Sequence, residues 1–440
     1  MLVRVTDPPA ARASISDLAA EVTTADGKRE HDSLNLAFTA TGLSRLGLAD
    51  RALETFPIGF LEGMASPRRS RVLGDQGDND PANWEWGGPG TQEVDALIML
   101  FAEDEARLDT FSAAVSKRLA GFETLKTLGA GRQPDNREHF GFRDGVGQPA
   151  IDGMDRANAQ RARTGHATVL PPGEFILGYT NIYGGMTPVP GSSDPDAAAA
   201  PARSGDTPPA FGTNGSYLVF RQIEQNVPAF WQYAQKAGNT IYRGDADAAT
   251  RLAAKMVGRW PSGAPLVLHP DSDPLGGTPT TLDSNDFGYA AQDPDGVRCP
   301  LGSHIRRSNP RDGLGPDPDT ARNSANRHRI LRRGRSYGDR IKNQLEDDGQ
   351  PRGLYFVCLN ADLDRQFEFV QQTWIDNPVF AGLYFETDPL IGHRPDGDTF
   401  SVQTPLLRRR ARGLTAFVTV RGGAYFFLPG MQALRMLGTQ

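Results

Sequence analysis

The sequence predicts an α+β protein of two domains, each with helices packed on a sheet. Three observations carry this. An apolar run followed by an apolar pattern at helical spacing recurs in both halves, at residues 93–117, 216–235 and 353–375. A Pro-, Gly-, Ser- and Ala-rich excursion at 181–215 lies between the halves. Glycine (49) and proline (33) are frequent among the 440 residues, which favours short elements with irregular connections over a helical bundle.

In chain order, residues 1–32 are polar and aperiodic, and are expected to form a poorly ordered N-terminal segment. Residues 33–65 carry a strand-like run, then apolar residues at helical spacing. Residues 68–92 read as a turn-rich loop. In the first repeat, Ala96 to Phe101 form a strand, and Leu108, Phe111, Ala114 and Val115 share a helix face. Residues 216–235 repeat the pattern more loosely, and 270–298 form a second Asp-, Pro- and Gly-rich loop. In the last repeat, Leu354 to Leu359 form a buried strand. Asp362 and Asp364 mark a helix start, suited to the positive end of a helix, and Phe367, Val370 and Trp374 follow at helical spacing. Residues 414–437 add two strand-like runs about Gly422-Gly423 and a final helix. The domains are then 33–215 and 216–440.

The bulk numbers exclude several classes. Basic and acidic side chains number 47 and 53, a formal charge of −6, which argues against nucleic acid as a partner. Two cysteines, Cys299 and Cys358, make neither a disulfide framework nor a cysteine-rich zinc site. No apolar run approaches the ~18 residues of a membrane span. No basic start followed by an apolar stretch marks a secretory leader. A cytoplasmic enzyme is the default expectation, with a secreted form whose leader has been removed as the alternative. An oligomer is compatible with the sequence.

Three clusters carry candidate chemistry. The first is Cys299-Pro-Leu-Gly-Ser-His304-Ile-Arg-Arg-Ser-Asn-Pro-Arg311. It offers a neutral imidazole, which can ligate a haem iron, and three arginines, Arg306, Arg307 and Arg311, for its carboxylates. A lone histidine in a surface loop is the competing reading. The second is Glu138-His-Phe-Gly141-Phe-Arg-Asp144-Gly145-Val-Gly-Gln-Pro149, whose glycines allow close approach of backbone to a flat ligand. An Asp-Gly turn without function competes with it. The third, residues 327–335, packs five arginines into nine residues around Ile330 and Leu331. A solvated basic edge competes with an apolar insertion that aims a neighbouring arginine inward.

Together these clusters resemble the dye-decolourising peroxidase family. Gly141-Phe-Arg-Asp144-Gly145 is similar to that family's G-x-x-D-G signature. Ser303-His304-Ile-Arg-Arg with Asn309-Pro-Arg311, and Ile330-Leu-Arg332-Arg-Gly followed by Tyr337-Gly338, follow in the family's order. The resemblance runs from about residue 33 to the C-terminus.

The resemblance implies two ferredoxin-like α+β domains, with one haem b per chain in the second. It implies hydrogen peroxide as oxidant, dyes and phenols as one-electron donors, and a ferryl/porphyrin-radical intermediate. His304 takes the place of the proximal ligand, Asp144 of the distal acid–base group and Arg332 of the distal arginine. Arg311 matches a propionate partner, and Leu354 and Phe356 match apolar residues over the distal face. Asp388 matches the carboxylate behind the ligand, with Glu386 as the competitor. Tyr337 and Trp374 are expected as surface electron-transfer residues for bulky dyes. Two other readings stand beside this one: a haem carrier or iron-handling protein, and a non-haem module whose arginines hold phosphate.

Overall fold

The computed structural model describes residues 1–24, 31–153, 169–191, 210–274, 285–394 and 399–439. Parts of the 181–215 excursion and of the 270–298 loop therefore lie outside the described residues. The strands, in chain order, are β1 (Leu2–Val5), β2 (Ser33–Phe38), β3 (Ala96–Phe101), β4 (Phe122–Lys126), β5 (Ala150–Ile151), β6 (Val169–Leu170) and β7 (Ser216–Gln225). They continue as β8 (Leu331–Arg332), β9 (Arg335–Tyr337), β10 (Gly353–Asn360), β11 (Phe400–Gln403), β12 (Arg408–Ala411) and β13 (Val418–Leu428).

Each half follows the same path. In the first, β1, the helix Pro8–Ala19, β2, β3, the helix Glu105–Ser116 and β4 give the antiparallel strand order β4-β1-β3-β2. In the second, β7, the helices Val227–Ile241 and Ala248–Val257, the β8/β9 edge, β10, a π-wound helix at 364–375 and β13 give β13-β7-β10-β8. Both are ferredoxin-like sheets packed with helices. They fuse where Phe427 of β13 pairs with Phe38 of β2, so the halves share one nine-stranded sheet.

The N-terminal segment corrects the expectation of poor order. Leu2 and Val3 are fully buried in β1, paired to both β3 and β4. Asp7 then caps the helix Pro8–Ala19, its carboxylate accepting from Ala10 N at 3.1 Å, and Ala11, Ile15 and Leu18 point inward. Four residues of strand have too little periodicity to be read without their partners. The loop at 68–92 likewise contains a short helix, Pro67–Val72. The end of the chain differs too. β13 is one strand with a bulge at Arg421, between Val420 and Gly422, not two strands. A Cβ at Gly422 would lie 2.4 Å from the Trp86 indole, whose N–H donates to Gln222 Oε1 at 2.8 Å. The glycines admit a packed tryptophan and do not end the strand.

Alternation on β7 feeds two layers. Tyr217 and Val219 join Phe56, Phe60, Tyr425 and Phe427 on one face, while Leu218 and Phe220 join Trp86, Tyr355 and Phe426 on the other. In the second half, Asn226 caps the helix Val227–Ile241 through Ala229 N at 3.0 Å. Its Phe230, Ala234, Ala237 and Ile241 build a separate core with Leu252, Leu266 and Phe417. Gly238 lets the next helix approach, since a Cβ there would meet Ala248 O at 2.5 Å.

Candidate active site

His304 opens the five-residue helix His304–Ser308, after the buried Cys299-Pro300 approach. Its Nδ1–H donates to Asp388 Oδ2 at 2.9 Å. A carboxylate cannot donate, so Nδ1 carries the proton and Nε2 keeps its lone pair. Nε2 has no protein partner among the described residues, and the side chain is 25% exposed. Asp388 is wholly buried, and its other oxygen accepts from Leu390 N and Ile391 N at 2.9 and 3.0 Å. Burial acts to raise the Asp388 carboxyl. The adjoining imidazole and these N–H groups outweigh it and hold the carboxyl below its ordinary value. Glu386, the competing carboxylate, is occupied elsewhere: it accepts from Ser401 N at 2.8 Å and from the Ser401 hydroxyl.

Two of the arginines after His304 are structural, contrary to the expectation that they face carboxylates of a cofactor. Arg306 pairs with Asp293 at 3.1 Å and donates to Cys299 O. Arg307, fully buried, donates to Trp374 O at 2.7 Å and to Glu386 O. Arg307 thus ties the His304 helix to the helix at 364–375. Arg311 is different. It donates to Asn285 O and Phe287 O and lies 3.8 Å from the Phe287 ring centroid, with no carboxylate in ion-pair reach among the described residues. Arg329, which the sequence reading left without a role, also lacks a counter-ion there and donates to Gly147 O at 3.2 Å. Burial, with Arg311 and Arg332 as like-charged neighbours, pushes Arg329 down to about 9. Its clue was the Ile330-Leu331 insertion that turns the basic run inward.

Opposing these groups is the loop that carries Asp144. Gly141 and Gly145 take φ of 95° and 79°, which side chains resist. Asp144 Oδ1 accepts from Gly145 N at 2.6 Å and from Arg332 Nη1 at 3.3 Å. Arg332 is set by β8, where it pairs with Cys358 of β10, and its backbone N–H donates to Gln148 Oε1. Leu354 and Phe356 alternate along β10 onto the Cys358 face, both part-buried. Leu354, Asp144 and Arg332 line a common cleft of about 290 Å³. The two sides communicate: Asn285 donates to Val146 O at 2.6 Å, and its own carbonyl accepts from Arg311.

Glu138 holds this loop and was not singled out from the sequence. Its carboxylate accepts from Phe140 N and Phe142 N at 2.8 and 2.9 Å, and from Gln225 Nε2 at 2.6 Å. Burial pushes it up to about 7 against those three donors, with the Asp144 charge adding to the rise. His139 is turned away, donating to Tyr337 O at 2.8 Å.

The two expected surface aromatics are both interior. Tyr337 is 9% exposed and stacks on Tyr355, with centroids 4.7 Å apart. Trp374 is 4% exposed, edge-on to His328 and Phe369. Each sits on the inward face of its element, so neither offers a surface for contact with a dye.

The groups present fit a haem. The free Nε2 suits an iron ligand, Arg311 and Arg329 suit two carboxylates, and Leu354 and Phe356 suit a porphyrin face. Comparison with known proteins agrees. Residues 191–379 match the family model for the Dyp-type peroxidase C-terminal region. The dye-decolorizing peroxidase msp1 of Mycetinis scorodonius is 32% identical, over 92% of this chain and 76% of the relative. An ancestral D-type dye decolorizing peroxidase superposes with TM-score 0.79 at 26% identity, covering 100% of this chain and 95% of the other. A dye-decolorizing peroxidase in complex with 2,6-dimethoxyphenol gives 0.77 at 26%, with the same coverage. The chain therefore belongs to the dye-decolourising peroxidases, haem enzymes that use hydrogen peroxide as oxidant.

Proposed function

We propose that the chain binds one haem b through His304 and reduces hydrogen peroxide at the expense of phenols and dyes. The observation that carries this reading is the His304–Asp388 contact, which fixes the imidazole proton on Nδ1 and reserves Nε2 for a metal. Haem supplies a redox-active iron at which peroxide takes up two electrons, replaced by two one-electron donors.

The chain's own groups do the rest. Asp388 lends the imidazole anionic character, which favours peroxidase chemistry over reversible oxygen binding. Arg311 and Arg329 pair with the haem carboxylates. Asp144 takes the proton from one peroxide oxygen and delivers it to the other, so that water departs. Arg332, 3.3 Å from Asp144, steadies the negative charge that develops on the departing oxygen as the O–O bond breaks. Leu354 and Phe356 limit water over the reacting face. A protein that merely carried haem has no use for the Asp144–Arg332 pair. The donors follow from the relative solved with 2,6-dimethoxyphenol. The test is the reaction of the haem-loaded protein with peroxide in Asp144→Asn: a slow reaction supports the role, and an unchanged rate removes it.

A further inference from the structure

The cleft beside Asp144 has a composition that proton transfer does not require. Five arginines line it: Arg132, Arg137, Arg332, Arg333 and Arg335. Its acids are Asp144 and Glu138, and both have committed oxygens, Asp144 to Arg332 and Glu138 to two backbone N–H groups and Gln225. Arg332 is balanced by Asp144 and Arg137 by Asp135 at 3.8 Å, and the cleft stays basic through Arg132 and Arg333, in a chain whose overall formal charge is −6. Arg132 is exposed, and neither it nor Arg333 has a carboxylate in ion-pair reach among the described residues. Arg333 is exposed as well and spends one N–H on the Arg332 carbonyl at 2.9 Å. Gln133, Asn136 and Ser336 add neutral hydrogen-bonding groups, and Leu354 contributes an apolar side chain.

We propose that this cleft docks a small anionic donor: a single-ring phenol that carries a carboxylate or sulfonate. The guanidinium forks take the anionic group, bidentate where geometry permits. The ring then lies beside Leu354, next to the Asp144–Arg332 pair. The volume of about 290 Å³ is at the small end of ligand pockets, which span ~300–1,000 Å³, so one substituted ring fits and a three-ring dye does not. The step balances: two phenols each lose one electron and one proton, hydrogen peroxide takes up both electrons and both protons, and two phenoxyl radicals and two waters result. The inference rests on the reading that the chain oxidises phenols, and it adds the charge of the preferred donor.

The test uses the haem-loaded enzyme and a matched pair, 2,6-dimethoxyphenol and 4-hydroxy-3,5-dimethoxybenzoate, which differ by one carboxylate. Turnover is measured with peroxide, and binding of the acid is measured by calorimetry without it. The acid is expected to have the lower KM, with the gap closing in 0.5 M salt, a screening length of about 4 Å. Arg132→Glu, and separately Arg132→Gln with Arg333→Gln, should raise the acid's KM and Kd roughly tenfold while leaving 2,6-dimethoxyphenol unaffected. Arg132 is exposed, so its reversal leaves the fold intact. Equal response of both phenols, or calorimetric binding of the acid insensitive to salt and to the variants, overturns the proposal. Salt-sensitive binding with no turnover of either phenol overturns the functional reading and leaves the anion site standing.

Discussion

Glu138→Gln tests how the Asp144 loop is held. In the wild type one buried carboxylate accepts three hydrogen bonds, two of them from the loop backbone at Phe140 and Phe142. The amide keeps one accepting oxygen and presents an NH2 to a donor, so at least one buried bond is lost, at ~1–3 kcal/mol. Ionisation works in the other direction. The carboxyl rises from 4.5 in the unfolded chain to about 7 in the fold, because burial outweighs its donors. At ~1.4 kcal/mol per unit, this is ~3 kcal/mol. The sign follows from which state holds the proton. Between pH 4.5 and 7 the folded protein binds it more tightly, so this contribution is complete below 4.5 and is lost as pH rises through 7. The glutamine has no such dependence. The variant should melt below the wild type at pH 4 and close that gap, or reverse it, by pH 8.5. For a chain of this length ~3 kcal/mol corresponds to roughly 3 °C. Calorimetry of both haem-loaded proteins across this range decides it. Wild-type and variant curves that stay parallel would refute the burial argument for Glu138.

Two further outcomes are expected. Asp388→Asn should raise the haem reduction potential and lower peroxidase turnover roughly 10- to 100-fold, since the imidazole loses its anionic partner. Glu386→Gln should leave the potential alone, because Glu386 bonds Ser401 and not His304; spectroelectrochemical titration separates the two, and a shift in the Glu386 variant would reverse the assignment. Trp374→Phe should lower melting temperature by removing core contacts with His328 and Phe369, and should change kcat/KM for a large dye and a small phenol alike. Selective loss of dye turnover would return Trp374 to an electron-transfer role.

The repeated strand–helix units were legible because periodicity is local, and β3, β10 and their following helices lie where the apolar runs predict. Even there the helix face is less buried than expected: of Leu108, Phe111, Ala114 and Val115, only Val115 is fully covered. The segment 1–24 was illegible because β1 is defined by partners almost 100 and 120 residues away. The glycines after the Arg421 bulge make room for Trp86, a contact that no local pattern encodes. The site divides in the same way. His304, Asp144, Arg332 and Asp388 stand in motifs, and the fold brings them together in pairs at 2.9 and 3.3 Å. Arginine identity carries no information about burial. Arg306 satisfies carbonyls of the preceding turn at 293–299 and Arg307 those of residues 374–386, while Arg329 is driven inward by Ile330 and Leu331. Tyr337 and Trp374 have polar edges that suit a surface, yet cross-strand stacking and helix packing bury both.

The central claim is that Asp144 and Arg332 cleave peroxide opposite a haem held by His304. Its most direct test is a stopped-flow record of the haem spectrum after one equivalent of hydrogen peroxide, for wild type and Asp144→Asn loaded with equal haem. A second-order spectral change that is at least tenfold slower in the variant, with the resting histidine-ligated spectrum unchanged, is the predicted result. Equal rates would contradict the claim and leave Arg332 as the group that breaks the O–O bond.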